Sequence, residues 1–245
     1  HEVGFDSGAM LDYVYRNEAK GMGPIGRMID RNYIDAIGWQ GIRQRKLNLE
    51  AMLLEANRRL SDTGEDIRLL DIAAGHGRYI LDAVNQFDQR PSRVQLRDFD
   101  AHNVADGRVL IRDKALADIA GFERGDAFDA EALASLNSPD SLATLSVVSG
   151  LYELFPENEP VQRSLAGLAE ATASGGYLVY TGQPWHPQLE FIARALTSHR
   201  DGQAWTMRRR TQAEMDQFVT AAGFEKVTQR VDPWGIFTVS LAVRR

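Results

Sequence analysis

The chain contains no cysteine in 245 residues, which excludes disulfides, thiolate metal ligands and a cysteine nucleophile. It also lacks an excess of positive charge. Its 28 Lys and Arg stand against 34 Asp and Glu, a net charge of −6, whereas a general nucleic-acid binder favours a basic balance. No apolar run approaches membrane-spanning length and no signal-peptide pattern opens the chain, so the expectation is a cytoplasmic protein without a membrane span. The five histidines show no H-x-x-x-H or carboxylate pattern, and no metal site is expected. Internal repeats and low-complexity segments are absent. The chain opens on His1-Glu2-Val3 without an initiator methionine, as a fragment of a longer protein would.

What is present is an ordinary globular composition, 44% hydrophobic and 25% charged. At this length it suits one large α/β domain, or one such domain with a helical extension. The organising stretch is Ile67 to Tyr79. Ile67–Ile72 is a short apolar run suited to a strand buried on both faces. Small residues follow, and then Tyr79-Ile80-Leu81-Asp82-Ala83-Val84 continues at helical spacing. Strand, glycine-rich turn and helix together bring backbone N–H groups and a helix start towards a ligand. A dinucleotide fingerprint beginning at Gly75-His76-Gly77 needs Gly or Ala at its last place, which here is Ile80.

Before this stretch, residues 1–60 are mostly helical in pattern, and 61–245 read as the ligand-binding domain. Ser7 or Asp6 is placed to cap a helix through Tyr15, and Lys20–Gly26 reads as a break. Helical spacing resumes at Ile25 and runs to Ile37. After a second break at Gly38–Gly41, a long helix fits Ile42–Leu60. The first sixty residues hold 9 Lys and Arg against 8 Asp and Glu, and the remainder 19 against 26, so the acidity sits in the α/β part.

Beyond the turn, a helix is expected to about Phe87. Strands are expected at Arg93–Arg97, at Gly121–Phe128 and at Leu142–Ser149, with a helix from about Asn103 between the first two. Asn158 is the expected cap of the next helix and Gly175-Gly176 its stop, followed by a strand at Tyr177–Thr181. Thr211-Gln212-Ala213-Glu214 is a capping box, and Lys226–Val231 with Ile236–Val243 form a late antiparallel pair. Arg208-Arg209-Arg210 reads as a solvated approach to the capped helix. The alternation predicts a mostly parallel sheet finished by that pair.

The run Asp71-x-Ala73-x-Gly75-x-Gly77 resembles the first motif of class I S-adenosylmethionine-dependent methyltransferases, with alanine in place of the usual first glycine. The late antiparallel pair resembles that family's Rossmann-like, seven-stranded sheet, whose last strand inserts antiparallel. More specifically, Tyr13–Asn17, Gly38–Arg45 and Asp71–Tyr79 resemble a bacterial methyltransferase family whose members sometimes carry an α/β-hydrolase domain upstream.

The resemblance implies S-adenosylmethionine as cofactor, held by Asp71, Ala73, Gly75, Gly77, Asp98, Phe99, Asp126, Ala127, Ser149 and Gly150. Asp98 would accept from the ribose hydroxyls, while Asp100 suits a helix cap. Phe99 would cover the adenine, Asp126 and the Ala127 N–H would meet its edge, and Ser149-Gly150 would lie beside the methionine portion. Glu153 and His186 are candidates for general acid–base work. Tyr13, Tyr15, Tyr33, Arg43, Tyr152 and Trp185 are candidates for contacting a small-molecule or lipid-like acceptor, and Trp39 belongs in the same N-terminal lid. Two rival readings stand: a nicotinamide-dependent oxidoreductase, disfavoured by Ile80, and a cofactor-binding domain that regulates a fused partner without turnover.

Overall fold

The apolar run at Ile67–Ile72 folds as β1 (Arg68–Asp71) at the centre of a seven-stranded sheet. The computed structural model describes residues 4–136, 142–198 and 204–245; His1-Glu2-Val3 lies outside the described residues. The other strands are β2 (Arg93–Asp98), β3 (Ala120–Arg124), β4 (Ala143–Val148), β5 (Thr172–Gly182), β6 (Phe224–Val231) and β7 (Thr238–Arg244). Their order is β3-β2-β1-β4-β5-β7-β6, parallel throughout except for β7, which runs antiparallel to both of its neighbours. The expected Rossmann-like sheet with its late antiparallel pair is therefore present. Strand order reverses between β1 and β4, the place where open α/β sheets bind ligands beyond their carboxyl ends.

The helices are α1 (Gly8–Arg16), α2 (Gly23–Ile34), α3 (Ile37–Thr63), α4 (Arg78–Val84), α5 (Ala101–Asp113), α6 (Ala130–Ala134), α7 (Asn158–Ala171), α8 (Leu189–Ala195) and α9 (Gln212–Ala221). Alternate strand residues enter different cores, as period-2 geometry requires. Leu69, Val179 and Leu241 pack with Leu49, Met52 and Leu53 of α3, with α4 and with α5. Leu70, Leu178 and Tyr180 pack on the other face with Val161 and Leu165 of α7 and Met215 of α9. The long helix α3 thus belongs to the sheet's own core.

Several expectations are corrected. Pro24 starts α2 instead of breaking the chain, because the first helical turn has no use for the N–H that proline lacks. Gly38 and Gly41 lie inside α3, where Gly41 lets Phe237 approach; a Cβ there would sit 3.0 Å from that ring. The helix after the turn ends at Val84, not Phe87. Gly175-Gly176 lies within β5, near the shift of register against β4. Asn158 is the first residue of α7, and its side chain bonds Arg210 and Glu214 instead of capping.

Arg210 is not solvated. It is 3% exposed and donates to the carbonyls of Tyr152, Phe155 and Glu157, fixing the loop after β4. The remaining caps stand as expected: Ser7 accepts from Met10 N–H, Asp100 from His102 N–H and Thr211 from Glu214 N–H.

Candidate functional site

Four strand exits converge. The turn after β1 holds Gly75 at φ +58° and Gly77 at φ +75°, a left-handed conformation open chiefly to glycine. A Cβ on Gly77 would stand 2.5 Å from Leu96 Cδ1. Gly77→Ala therefore combines backbone strain with a clash. We expect a cost of about 1–3 kcal/mol and a melting temperature several degrees lower, measured by thermal unfolding.

Asp98 closes β2 and organises the turn. One carboxylate oxygen accepts from Gly75 N–H at 2.8 Å, and the other accepts from Asp100 N–H at 2.9 Å and Asn103 Nδ2 at 3.0 Å. Three of roughly four acceptor sites are thus engaged, which leaves capacity for a ligand hydroxyl. Asp126, after β3, accepts from Phe128 N–H at 2.8 Å. Ser149 and Gly150 follow β4, and Gly150 N–H donates to Thr181 Oγ1 at 2.9 Å. Ser149 Oγ is buried without a hydrogen-bond partner.

These exits line one cavity of about 760 Å³. Ala73, Gly75, Gly77, Asp98, Phe99, Asp126, Ala127, Ser149 and Gly150 all face it, so nine of the ten expected cofactor residues are brought together. Phe99 is exposed, with the Arg124 guanidinium 5.3 Å from its ring centre.

Asp71 is the exception. It is fully buried beneath the turn, accepting from Ala73 N–H at 3.1 Å and from the Tyr79 hydroxyl, and it does not line the cavity. Burial raises its pKa from 3.8 to about 7, against the lowering effect of its hydrogen bonds. A carboxyl raised in the folded state binds more protons folded than unfolded between pH 4 and 7, so it makes stability fall as pH rises through that window. Asp71→Asn keeps an acceptor for Ala73 without the titration. The variant's melting temperature is expected to gain on the wild type by a few degrees between pH 5 and pH 8; a constant difference across that range would contradict the titration.

A second cavity of about 410 Å³ adjoins the first, and Asp6, Leu11, Arg45, Gly150 and Leu154 line both. Tyr33, Glu153 and His186 face this second space, and Tyr15 faces the first. Glu153 is buried and ion-paired with buried Arg45, Nη1 to Oε1 at 3.3 Å. His186 Nδ1 accepts from Gln188 N–H at 3.1 Å, and burial lowers its pKa to about 4. The ring is therefore neutral at physiological pH with its proton on Nε2, a donor and not the expected general base.

Four other expected acceptor contacts do not face either cavity. Tyr13 donates to Asp30, and Arg43 donates to the Ile34 carbonyl. Tyr152 is buried with its hydroxyl on Ser164, held inward by core packing, and Trp185 stands half exposed. Trp39, expected in the lid, does line the second cavity.

Sequence reasoning missed Arg45, which is just another arginine in a mixed-charge helix until β4 brings Glu153 against it. It also missed Asp12, which pairs with Arg78 beside the turn. Among the described residues no helix is long and apolar enough to cross a membrane, and no cluster of His, Asp and Glu could hold a metal.

A model of the family "Putative methyltransferase" matches residues 1–244. The uncharacterized protein YnbC of Escherichia coli (strain K12) is 54% identical over 243 residues, 99% of this chain and 41% of that protein. The chain thus spans about two fifths of the length of that curated relative. A possible exported protein from Bordetella parapertussis superposes with a TM-score of 0.75 at 16% identity, covering 97% of this chain and 79% of the other. The magnesium protoporphyrin IX methyltransferase of Synechocystis, solved with bound S-adenosylhomocysteine, gives 0.64 at 13% identity, covering 98% and 96%. At these identities the likeness to solved structures establishes the fold.

Proposed function

The chain belongs to the family described as "Putative methyltransferase", with the class I S-adenosylmethionine-dependent fold, and from that premise we propose that it transfers a methyl group from S-adenosylmethionine to a small-molecule or lipid-like acceptor. The observation that carries the reading is the junction. The cavity built by the glycine turn and two strand-end carboxylates runs into a second, apolar cavity through a wall that the two share.

The first cavity fits the cofactor. It has small residues where the backbone must approach, carboxylates at two strand exits and an unpartnered buried hydroxyl at Ser149. When bound, S-adenosylmethionine supplies an already activated sulfonium methyl, so alignment and exclusion of water carry most of the rate.

The chain's own part is mainly positional. Asp98 would offer its remaining acceptor capacity to the ribose hydroxyls, Asp126 would accept from the adenine amine, and Ala127 N–H would donate to the ring. Phe99 covers one adenine face. Ser149 and Gly150 flank the methionine portion, where a Gly150 Cβ would stand 3.0 Å from Arg45 Nη2. Asp71 acts through the turn, holding Ala73 and Tyr79. On the acceptor side Glu153 takes a proton where the acceptor must lose one, and His186 Nε2–H donates a hydrogen bond.

Isothermal titration calorimetry with S-adenosylhomocysteine, NAD and NADP tests the reading. We expect micromolar binding of the homocysteine compound alone. Binding of a dinucleotide in its place overturns the reading. Cofactor binding without methyl transfer to any acceptor favours a regulatory domain of a longer protein.

A further inference from the structure

The second cavity constrains the acceptor more closely than its size does. At about 410 Å³ it lies within the usual range of small-molecule sites. Its wall carries a chain of rings. Phe5 and Tyr33 are 6.3 Å apart, Tyr33 and Trp39 5.8 Å, and Trp39 and Trp205 6.2 Å with planes 28° apart. Ile42 and Phe237 extend the apolar surface.

Among the described residues of this wall, the charged groups are all engaged. Asp6 accepts from Ser198 Oγ at 2.6 Å, and Arg45 and Glu153 hold each other. Neutral polar groups in the wall include His186, whose Nδ1 accepts from Gln188 N–H, and Gln183 Oε1 and Trp205 Nε1, both buried without a hydrogen-bond partner. Among the described residues of this wall, no cation outside the Arg45–Glu153 pair is available to a ligand carboxylate or phosphate, and no anion outside it and the bonded Asp6 to a ligand ammonium. Burying an unpaired charge there would be costly.

The end next to the first cavity adds a second constraint. Arg45 lies on both sides of the junction, packed against Gly150 and with its guanidinium carbon 4.9 Å from the Phe237 ring centre. Its Nε is buried without a hydrogen-bond partner. A guanidinium at the point of transfer stabilises the alkoxide or phenolate formed as a hydroxyl gives up its proton, and opposes a nitrogen that gains positive charge.

We infer that this cavity is the acceptor site and that the acceptor is an uncharged, largely apolar hydroxyl compound, methylated on oxygen at the Arg45–Glu153 end. The inference rests on the methyl-transfer reading. In the step, a lone pair of the hydroxyl oxygen forms the new C–O bond. The C–S bond breaks with its electron pair returning to sulfur, and the hydroxyl proton passes to Glu153 and then to water.

Calorimetry on the protein saturated with S-adenosylhomocysteine tests this with four probes: 1-naphthol, 1-decanol, 1-naphthylamine and 1-naphthoate. At least one alcohol is expected to bind about tenfold more tightly than 1-naphthoate. Because an arylamine nitrogen is a poor acceptor for Arg45, 1-naphthol is also expected to bind roughly fivefold more tightly than 1-naphthylamine if the ring class is the one taken. Binding of 1-naphthol alone assigns a flat ring, and of 1-decanol alone an extended chain; either supports the inference.

Leu196 lines the same cavity at a half-buried position, and Leu196→Trp is expected to abolish alcohol binding while leaving S-adenosylhomocysteine affinity unchanged. The inference is overturned if neither alcohol binds, if the carboxylate or the arylamine matches them, or if the tryptophan variant binds alcohol as before. Failure of S-adenosylhomocysteine itself to bind would strike the methyl-transfer reading instead. The comparison among probes on the wild-type protein stands whether or not the variant folds.

Discussion

Arg45→Met is expected to lower the melting temperature by roughly 10 °C. Arg45 is 2% exposed and its partner Glu153 7%, with 108 residues of chain between them. Removing the guanidinium leaves a buried carboxylate without its direct ion-pair partner, only the Arg210 charge still acting on it, which typically costs about 3–5 kcal/mol. In a protein of this size each kcal/mol shifts the midpoint by about 2–4 °C. The double variant Arg45→Met/Glu153→Leu removes both charges and fills similar volume, so it should recover most of the loss. The comparison separates an electrostatic cause from a packing one, since Arg45 also covers apolar surface with its stem. Thermal unfolding of the single and double variants decides the matter. A double variant no more stable than the single one would mean that the pair matters for its shape and not its charge.

The first cavity, the proposed cofactor site, was legible because its signals are local. A strand, a turn of small residues and a helix are contiguous in sequence, and the carboxylates at Asp98 and Asp126 sit at the end of β2 and two residues past β3. Sequence order therefore nearly dictated space, and nine of ten expected residues line the cavity. Asp71 departed for a reason that sequence also holds, though less plainly. It ends a strand buried on both faces, so its side chain stays in the core and finds Tyr79 eight residues on.

The second cavity, the proposed acceptor site, was poorly legible because it is assembled from distant pieces. Trp39, Arg45, Glu153, His186, Trp205 and Phe237 come from α3, three loops and the entry to the last strand. No periodicity links them. Glycines misled twice, at Gly38–Gly41 and at Gly175-Gly176. Their clustering suggests breaks, whereas Gly41 provides close approach inside a helix and Gly175-Gly176 sits near a change of register inside a strand. Arg210 misleads in the same way: a run of three arginines suggests solvent, but five acceptors in the loop after β4 and at the start of α7 draw one of them inside.

Asp98→Ala is expected to weaken S-adenosylhomocysteine binding by about 2–4 kcal/mol, roughly 30-fold to 1,000-fold in dissociation constant. Two effects combine. The proposed ribose contacts are lost, and so are the bonds that hold Gly75 N–H, Asp100 N–H and Asn103 Nδ2 in one arrangement around the turn. Asp98→Asn keeps one acceptor but turns an N–H₂ towards donors that already point at that carboxylate, so it should fall between the wild type and alanine. Asp100 is the decisive control because it lies two residues away and carries a similar charge. Its visible role is to cap α5 through His102 N–H, so Asp100→Ala should cost about 1 kcal/mol of stability and change affinity less than threefold. Calorimetric titration of the three variants reads the affinity, and thermal unfolding reads the cap. A larger affinity loss in the Asp100 variant than in the Asp98 variant would move the ribose contact to the cap residue. The Asp98 carboxylate would then be a bracket for the turn, as Asp71 is one layer below it.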